Sequence, residues 1–315
     1  RFKIYTVYTQ NKENNNMKKL LLVGLITAGF TFNVTAAEID VYGSINYMVT
    51  NNDDATGTSV TKAENNGSLI GVNFSETLSE GTGITGFGKL EVGIDADDAG
   101  SDTFDSRLAY VGVDLGPLGA VSAGRQSHPN DGIAKTGVFN EFGNSAVFTV
   151  GSRSSNSAKY ENSVGPISLS SMIIVDGASG KDGIDILDYS AGMDVGPLAV
   201  SAGIATDNVN EISYQVASAG MDFNGIALNG TYSVKDNPGA TADLTGMEAT
   251  ASFSLGDNTA HVGWGDKEGT ATYMTYGIER DFTDALKGYA EFQQTDNEGS
   301  TVDTDQMAVG MKFSF

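Results

Sequence analysis

Two histidines, His128 and His261, are the first side chains to test for catalysis or metal binding. Neither has a carboxylate or a second histidine beside it at the spacing that metal sites and nucleophile–base pairs use. We therefore expect both to lie on loop and strand surfaces. We predict no catalytic residue, no metal and no cofactor, and hence a protein that is not an enzyme.

Residues 81–86 read Gly-Thr-Gly-Ile-Thr-Gly, which has the GxGxxG spacing of a nucleotide-binding loop. Such a loop follows a strand and opens a helix. Here the glycines follow a turn and open a segment of alternating polarity. We interpret them as part of a turn and a strand.

The charge balance limits the kinds of partner. The 315 residues include 18 Lys and Arg against 40 Asp and Glu, a formal net charge of −22. Nucleic-acid binding needs clustered bases, so we expect no nucleic-acid partner. The chain has no cysteine, which excludes a disulfide scaffold and a thiolate metal site.

The start of the chain has the pattern of a cleaved secretory signal peptide. Met17, Lys18 and Lys19 precede an apolar run over residues 20–32, and small residues lie just before Glu38. The run is too short to span a membrane as a helix. We predict an over-extended N-terminus at 1–16, a signal peptide at 17–37 and one β-barrel domain at 38–315.

The last ten residues indicate the fold class. Along residues 306–315, apolar side chains alternate with small or polar ones, as on a strand with two different faces. The apolar members are Met307, Val309, Met311, Phe313 and Phe315. In a soluble protein that face would pack on a core. A terminal aromatic on it favours the other arrangement, with lipid outside and water inside.

Segments of this kind recur from residue 39 onward, and we predict sixteen strands, the second of them at 68–74. Tight turns such as Asn224-Gly225 tend to alternate with longer segments rich in Asp, Asn, Gly and Thr. Lipid cannot hydrogen-bond a sheet edge, so a membrane-spanning sheet must close on itself. We predict an all-β fold, a 16-stranded antiparallel transmembrane β-barrel wide enough for an aqueous channel.

Short motifs, in order along the chain, resemble the general trimeric porins of Gram-negative outer membranes. They are Val41-Tyr42-Gly43-Ser44, residues 68–78, residues 106–112, Gly124-Arg125-Gln126, Asn140-Glu141-Phe142-Gly143 and the terminal Phe315. The resemblance implies short periplasmic turns, long external loops and a third loop, here residues 127–156, that folds into the barrel and narrows it. It also implies a homotrimer in outer-membrane lipid, and Phe313 and Phe315 as a signal to the barrel-assembly machinery.

The resemblance places the selective site at a constriction between the third loop and the facing wall. The expected constriction residues are Glu141, Arg125, Glu161, Lys89, Glu91, Arg107, Leu69 and Ser44. In the family the wall carries a cluster of bases, and this sequence departs from that pattern at Ser44, Leu69 and Glu161. An acid-rich constriction attracts cations and repels anions, so we expect a cation preference.

The favoured interpretation is a passive diffusion channel for small hydrophilic solutes and ions. A sugar-specific channel is an alternative, for which Phe87, Phe139 and Phe142 are the available aromatic residues. An outer-membrane barrel enzyme would need a Ser/His/Asn or Asp/His group at a rim, and a secreted β-rich adhesin would be soluble. Three acidic pairs could bind cations that bridge lipopolysaccharide phosphates, or could be solvated loops: Asp97-Asp98, Asp53-Asp54 and Asp303 with Asp305.

Overall fold

The computed structural model describes residues 37–53, 58–79, 83–97, 103–143, 145–177, 183–236, 242–300 and 303–315, with residues 56, 81 and 239. The N-terminal regions predicted at 1–16 and 17–37 lie outside these residues, apart from Ala37. No helix in the described part of the chain is long and apolar enough to cross a membrane.

Seventeen strand segments follow one another along the described chain, with two short 3-10 helices among them. The segments are β1 Glu38–Asp53, β2 Ser59–Asn65, β3 Leu69–Ser79, β4 Ile84–Ile94, β5 Phe104–Asp114, β6 Ala120–Ser127, β7 Arg153–Val164, β8 Ile167–Ile174, β9 Ile186–Val195, β10 Leu198–Asp207, β11 Ile212–Phe223, β12 Ile226–Asp236, β13 Leu244–Leu255, β14 Asn258–Lys267, β15 Ala271–Asp281, β16 Leu286–Asn297 and β17 Thr304–Ser314.

The sheet is closed because its first strand pairs with its last. β1 pairs antiparallel with β17 from Ser44↔Ser314 to Asn52↔Gln306. On its other edge, β1 pairs with β3 and then with β2. β2 and β3 therefore share one position, and the seventeen segments form sixteen barrel strands. The predicted 16-stranded antiparallel barrel is confirmed.

The second barrel strand is longer than predicted. Its two segments together run from residue 59 to residue 79, whereas we expected residues 68–74. The segments are separated near Gly67, which has a φ of +69°. That left-handed backbone conformation is incompatible with an extended strand and suits glycine. One residue thus interrupts a strand that otherwise spans the wall.

The two faces of the wall differ as the alternation predicts. On β17, Met307, Val309 and Met311 are exposed on the outer surface, whereas Ala308 and Gly310 between them are buried on the inner side. The buried Tyr289 ring lies over Gly310, where any added Cβ would collide with it. Exposed apolar side chains recur around the outside of the barrel, for example Leu90 on β4, Leu169 on β8 and Ile278 on β15.

The C-terminal residue closes the barrel against the first strand. The Phe315 N–H donates to the Gly43 carbonyl at 3.0 Å, and the Gly43 N–H donates back to the Phe315 carbonyl at 3.0 Å. The Phe315 ring covers Gly43, leaving only 2.6 Å to a Cβ built there. A glycine is therefore required opposite the terminal aromatic residue.

The connections at the two rims differ, although less regularly than predicted. At one rim, Asn224 and Gly225 have φ values of +54° and +81°, as a two-residue hairpin turn of type I′ requires. At the other rim lies the long connection over residues 128–152, between β6 and β7. Connections 208–211 and 268–270 at that same rim are as short as turns. We refer to the two ends as the turn rim and the loop rim.

Candidate functional site in the barrel lumen

The third loop, residues 128–152, lies inside the barrel against the inner wall formed by β9 to β16. The Lys135 N–H donates to Ser218 Oγ on β11 at 3.1 Å. The Phe148 N–H donates to Ser233 Oγ on β12 at 2.9 Å. Both serines belong to the inward face of their strands, so the predicted inward-folded third loop is present.

The carboxylate of Glu291, on β16, holds the loop tip. Its Oε1 accepts the Asn140 N–H at 2.5 Å, and its Oε2 accepts the N–H groups of Glu141 at 2.9 Å and Phe142 at 3.1 Å. Only 4% of the Glu291 surface is exposed. Charge-assisted bonds to backbone N–H groups are the strong kind, so this contact fixes the position of the tip.

A second buried carboxylate, Glu248 on β13, joins the two arms of the loop. Its Oε2 accepts the Thr136 hydroxyl at 2.6 Å on the outgoing arm, which leads from β6 to the loop tip. Its Oε1 accepts the Ala146 N–H at 3.1 Å on the returning arm, and also the Tyr273 hydroxyl. Glu248 therefore keeps the arms together.

Glycines on the wall make room for the loop. The Phe139 ring lies over Gly263 and Gly277, at 2.6 Å and 3.1 Å from a Cβ built at each. The Ala146 carbonyl occupies the place that a Cβ on Gly246 would take. The close approach of loop and wall therefore depends on the absence of side chains at these three positions.

Glu141, the predicted loop acid, lies at the tip held by Glu291. Burial raises the pKa of its carboxyl group, and the nearby Glu64 and Glu291 raise it further. The loop acid within electrostatic reach of a wall base is Asp131, which lies near Arg153. The loop thus carries acids at two separate places.

The wall that the loop leaves open brings three predicted residues together. Glu91 accepts the Tyr42 hydroxyl at 2.6 Å and Arg107 Nε at 2.7 Å. Lys89 Nζ lies 4.8 Å from the centre of the Tyr42 ring, within the range of a cation–π contact. Lys89, Glu91 and Arg107 therefore form one network around Tyr42.

Two further arginines extend this network toward the loop rim. Arg125 donates to the Ser106 carbonyl and to Ser155 Oγ, both at 3.2 Å. Arg153, which sequence reasoning missed, lies within electrostatic reach of Arg107 and Arg125. We expected the third loop to run to residue 156, so alternation gave no position for Arg153, whereas β7 begins at Arg153.

The other three predicted residues are separate from this network. Glu161 lies toward the turn rim and pairs with Lys159 at 2.8 Å, so its charge has a partner. Ser44 is buried and lies opposite Leu69 across the β1–β3 ladder. A lumen cavity of about 740 Å³ is lined by Glu161, Lys159 and several residues between His128 and Lys135. We refer to this first part of the third loop as its root.

The aromatic residues do not form a continuous series along the lumen. Phe139 is docked on the wall glycines, and Phe142 is buried. Phe87 makes an edge-to-face contact with Tyr110 at 6.4 Å between ring centres. Two of the three aromatics considered for a sugar path thus serve the docking of the loop.

Both histidines are buried, so the expectation that they lie on loop and strand surfaces is wrong. His128 Nδ1 lies 2.9 Å from Asp188 Oδ2, and its Nε2 lies 2.8 Å from Ser154 Oγ. His261 Nδ1 lies 2.8 Å from Ser252 Oγ. Asp188 is distant from His128 in sequence and meets it only because the third loop folds into the barrel, whereas Ser252 lies directly opposite His261 in the β13–β14 pair. Among the described residues, no group of three or more His, Cys, Asp or Glu could hold a metal ion.

Comparisons with known proteins agree with this architecture. The family model described as Gram-negative porin matches residues 22–301. No curated protein matches the sequence. Among solved structures, an anion-selective porin from Comamonas acidovorans is similar with a TM-score of 0.77 at 18% identity, covering 89% of this chain and 100% of that one.

Two other solved structures show the same fold. OmpT of Vibrio cholerae, in vitro folded and in a trimer form, has a TM-score of 0.70 at 16% identity, covering 89% of this chain and 100% of that one. Salmonella typhi OmpF in complex with daunomycin has a TM-score of 0.71 at 17% identity, covering 88% and 97%.

Proposed function

Because the chain belongs to the Gram-negative porin family, we propose that it is an outer-membrane diffusion channel for small hydrophilic solutes and ions. One observation carries the proposal: the closed barrel is apolar outside and polar inside, with a loop held in its lumen. A barrel of this strand number encloses water rather than a packed core. No chemistry is needed for such transport. The turn rim would then face the periplasm and the loop rim the exterior.

The third loop is the proposed constriction. It is supported by the Glu291 and Glu248 contacts, which hold the loop inside the barrel against one wall. Solutes would pass between the loop and the open wall that carries Lys89, Glu91 and Arg107. Size would be limited by the loop position, and charge selection by the groups on the two sides.

We further propose a cation preference. It is supported by the net charge of −22 and by acids on the loop at Asp131 and Glu141. Arg107, Arg125 and Arg153 act in the opposite direction at the loop rim. The preference therefore depends on the acids outweighing a local group of three bases.

Planar-bilayer recordings on the purified protein test the channel and its selectivity together. We expect stepwise conductance, and in a KCl gradient a reversal potential of the sign that K⁺ permeation gives. The Glu141→Gln variant should shift that potential toward zero. Absence of any current would contradict the channel, whereas current with a chloride preference would contradict only the selectivity.

The proposed assembly is a homotrimer, exported by a signal peptide at 17–37 and recognised by the assembly machinery through Phe313 and Phe315. The OmpT structure described as a trimer form supports the oligomeric state by fold similarity. Light scattering in detergent, with the mass of bound detergent subtracted, should give three chains per particle. A monomer would contradict the trimer and leave the channel proposal intact.

A further inference from the structure

The root of the third loop holds a serine, a histidine and an aspartate in one hydrogen-bonded series. Ser154 Oγ lies 2.8 Å from His128 Nε2, and His128 Nδ1 lies 2.9 Å from Asp188 Oδ2. The Asn130 N–H also donates to Asp188 Oδ2, at 3.3 Å. The three residues come from β7, the loop and β9, so only the folded barrel with its inserted loop assembles them.

The hydrogen bonding favours the reactive tautomer of His128. A carboxylate oxygen can only accept, so Nδ1 must carry the proton that it donates to Asp188. In the neutral ring, the other nitrogen, Nε2, then has a lone pair that can accept the Ser154 hydroxyl. Asp188 is fully buried and His128 is 2% exposed. A buried aspartate that fixes the imidazole, which in turn accepts from a serine, is the arrangement that activates serine as a nucleophile.

The second histidine provides an internal contrast. His261 Nδ1 contacts Ser252 Oγ at 2.8 Å, but Glu279 lies on the Nε2 side at 3.9 Å. That distance is too long for a hydrogen bond. Only the His128 group therefore forms a complete series from carboxylate to hydroxyl.

Ser154, the second residue of β7 at the loop rim, is only half-buried. The preceding residue, Arg153, brings a positive charge that favours an approaching carbonyl or phosphonyl oxygen. His128 itself lines the lumen cavity of about 740 Å³.

We propose that Ser154 is a nucleophile toward small activated esters and organophosphonates that enter the channel, with His128 as its general base and Asp188 as the positioning residue for His128. With an ester, Ser154 Oγ bonds to the acyl carbon as its proton passes to His128 Nε2. His128 then gives that proton to the departing alcohol. A water molecule, losing its proton to His128, attacks the acyl carbon, and Ser154 is released with its proton as the carboxylic acid leaves.

A fluorophosphonate probe tests the proposal on the full channel purified in detergent. The Oγ–P bond forms as fluoride leaves, and peptide mass spectrometry locates the label. We expect Ser154 to be labelled at least tenfold faster than the exposed neighbouring Ser155, which has no histidine contact. His128→Gln should slow labelling of Ser154 by about 100-fold, the size of a general-base contribution. Ser155→Ala is the matched control and should leave the Ser154 rate unchanged.

The histidine could instead serve only to anchor the loop, and two measurements separate these roles. Bilayer conductance reports whether each variant still folds and holds the loop. In His128→Ala, added imidazole should restore labelling of Ser154 if the missing function is that of a base. No label at Ser154 in a conducting channel, or labelling that is indifferent to His128, would overturn the proposal while leaving the diffusion channel unaffected.

Discussion

The two halves of the inner wall use inward-facing polar residues in opposite ways. On β9 to β16, the carboxylates of Asp188, Glu248 and Glu291 are buried beneath the third loop and accept its N–H, imidazole and hydroxyl groups. On β4 to β7, charged groups such as Lys89 and Arg153 face the open lumen. The first half supports the inserted loop, and the second half is left uncovered by it.

This comparison shows why strand alternation alone does not identify a selective site. Alternation predicts which side chains point inward, and it does so equally for Glu91 and Glu291. It does not predict which of them will be covered by a loop. Glu291 is covered by the third loop, whereas Glu91 is buried by its contacts with Tyr42 and Arg107 on the wall that the loop leaves open.

The largest expected effect comes from removing the tip anchor, by Glu291→Ala. Three backbone N–H groups at residues 140–142 would lose their acceptor. Leaving buried donors unpaired costs on the order of 1–3 kcal/mol for each, so the docked position of the tip loses its main polar support. We expect the tip to leave the wall, with noisier single-channel current and altered conductance.

The matched control for this change is Glu298→Ala, an exposed glutamate at the loop rim. It removes the same charge from the chain without touching the third loop. If both variants altered the current equally, the anchor would not be what separates the two halves of the wall.

The next effect comes from filling a wall glycine, by Gly263→Ala. The new Cβ would lie 2.6 Å from Phe139 Cε2, so the ring and the loop backbone must shift. Overpacking of this kind costs about 1–3 kcal/mol. We expect a lower midpoint in urea unfolding, which is monitored by gel mobility. We also expect a changed conductance.

Gly230→Ala is the control for the glycine substitution. Gly230 faces outward, and the nearest atom to a Cβ built there is 3.8 Å away. It should therefore unfold at nearly the wild-type midpoint. A loss as large as that of Gly263→Ala would show that strand strain, rather than loop docking, makes glycine necessary.

A smaller effect, on selectivity alone, is expected on the open wall from Arg153→Gln. Arg153 lies in a crowded group with Arg107 and Arg125, so removing one positive charge relieves repulsion and leaves the fold intact. We expect the cation-to-anion permeability ratio to rise roughly two-fold, as is reasonable for one charge near a narrow pore. The control is Arg280→Gln, since Arg280 lies outside the lumen and pairs with Asp257 at 3.2 Å.

The sequence predicts the barrel well because every strand repeats one simple pattern. The outward faces of β17 and the type I′ turn at Asn224-Gly225 follow from local residue types. The lumen is less predictable, since its contacts join residues far apart in the chain. Glu291 and Asp188 read as ordinary inward acids, and nothing local to His128 indicates that β9 will supply its carboxylate. The extra length of the second strand was missed because Gly67 interrupts its pattern.

The smallest expected effect is the pH dependence of Glu141. Burial and the neighbouring Glu64 and Glu291 raise its pKa, so as pH falls it takes up a proton earlier than an exposed glutamate does. Because the pKa of Glu141 is raised in the folded state, its contribution to stability grows as pH falls through that pKa. The same protonation removes its attraction for cations. We expect the reversal potential in a KCl gradient to move toward zero on acidification, beginning above the range where exposed carboxylates titrate. Glu141→Gln should remove the part of this change that begins at higher pH and leave the part at lower pH. The control Glu298→Gln should leave the part at higher pH in place. An identical titration in the wild type and in Glu141→Gln would mean that the loop acid does not act on permeating ions, and that the open wall alone selects them.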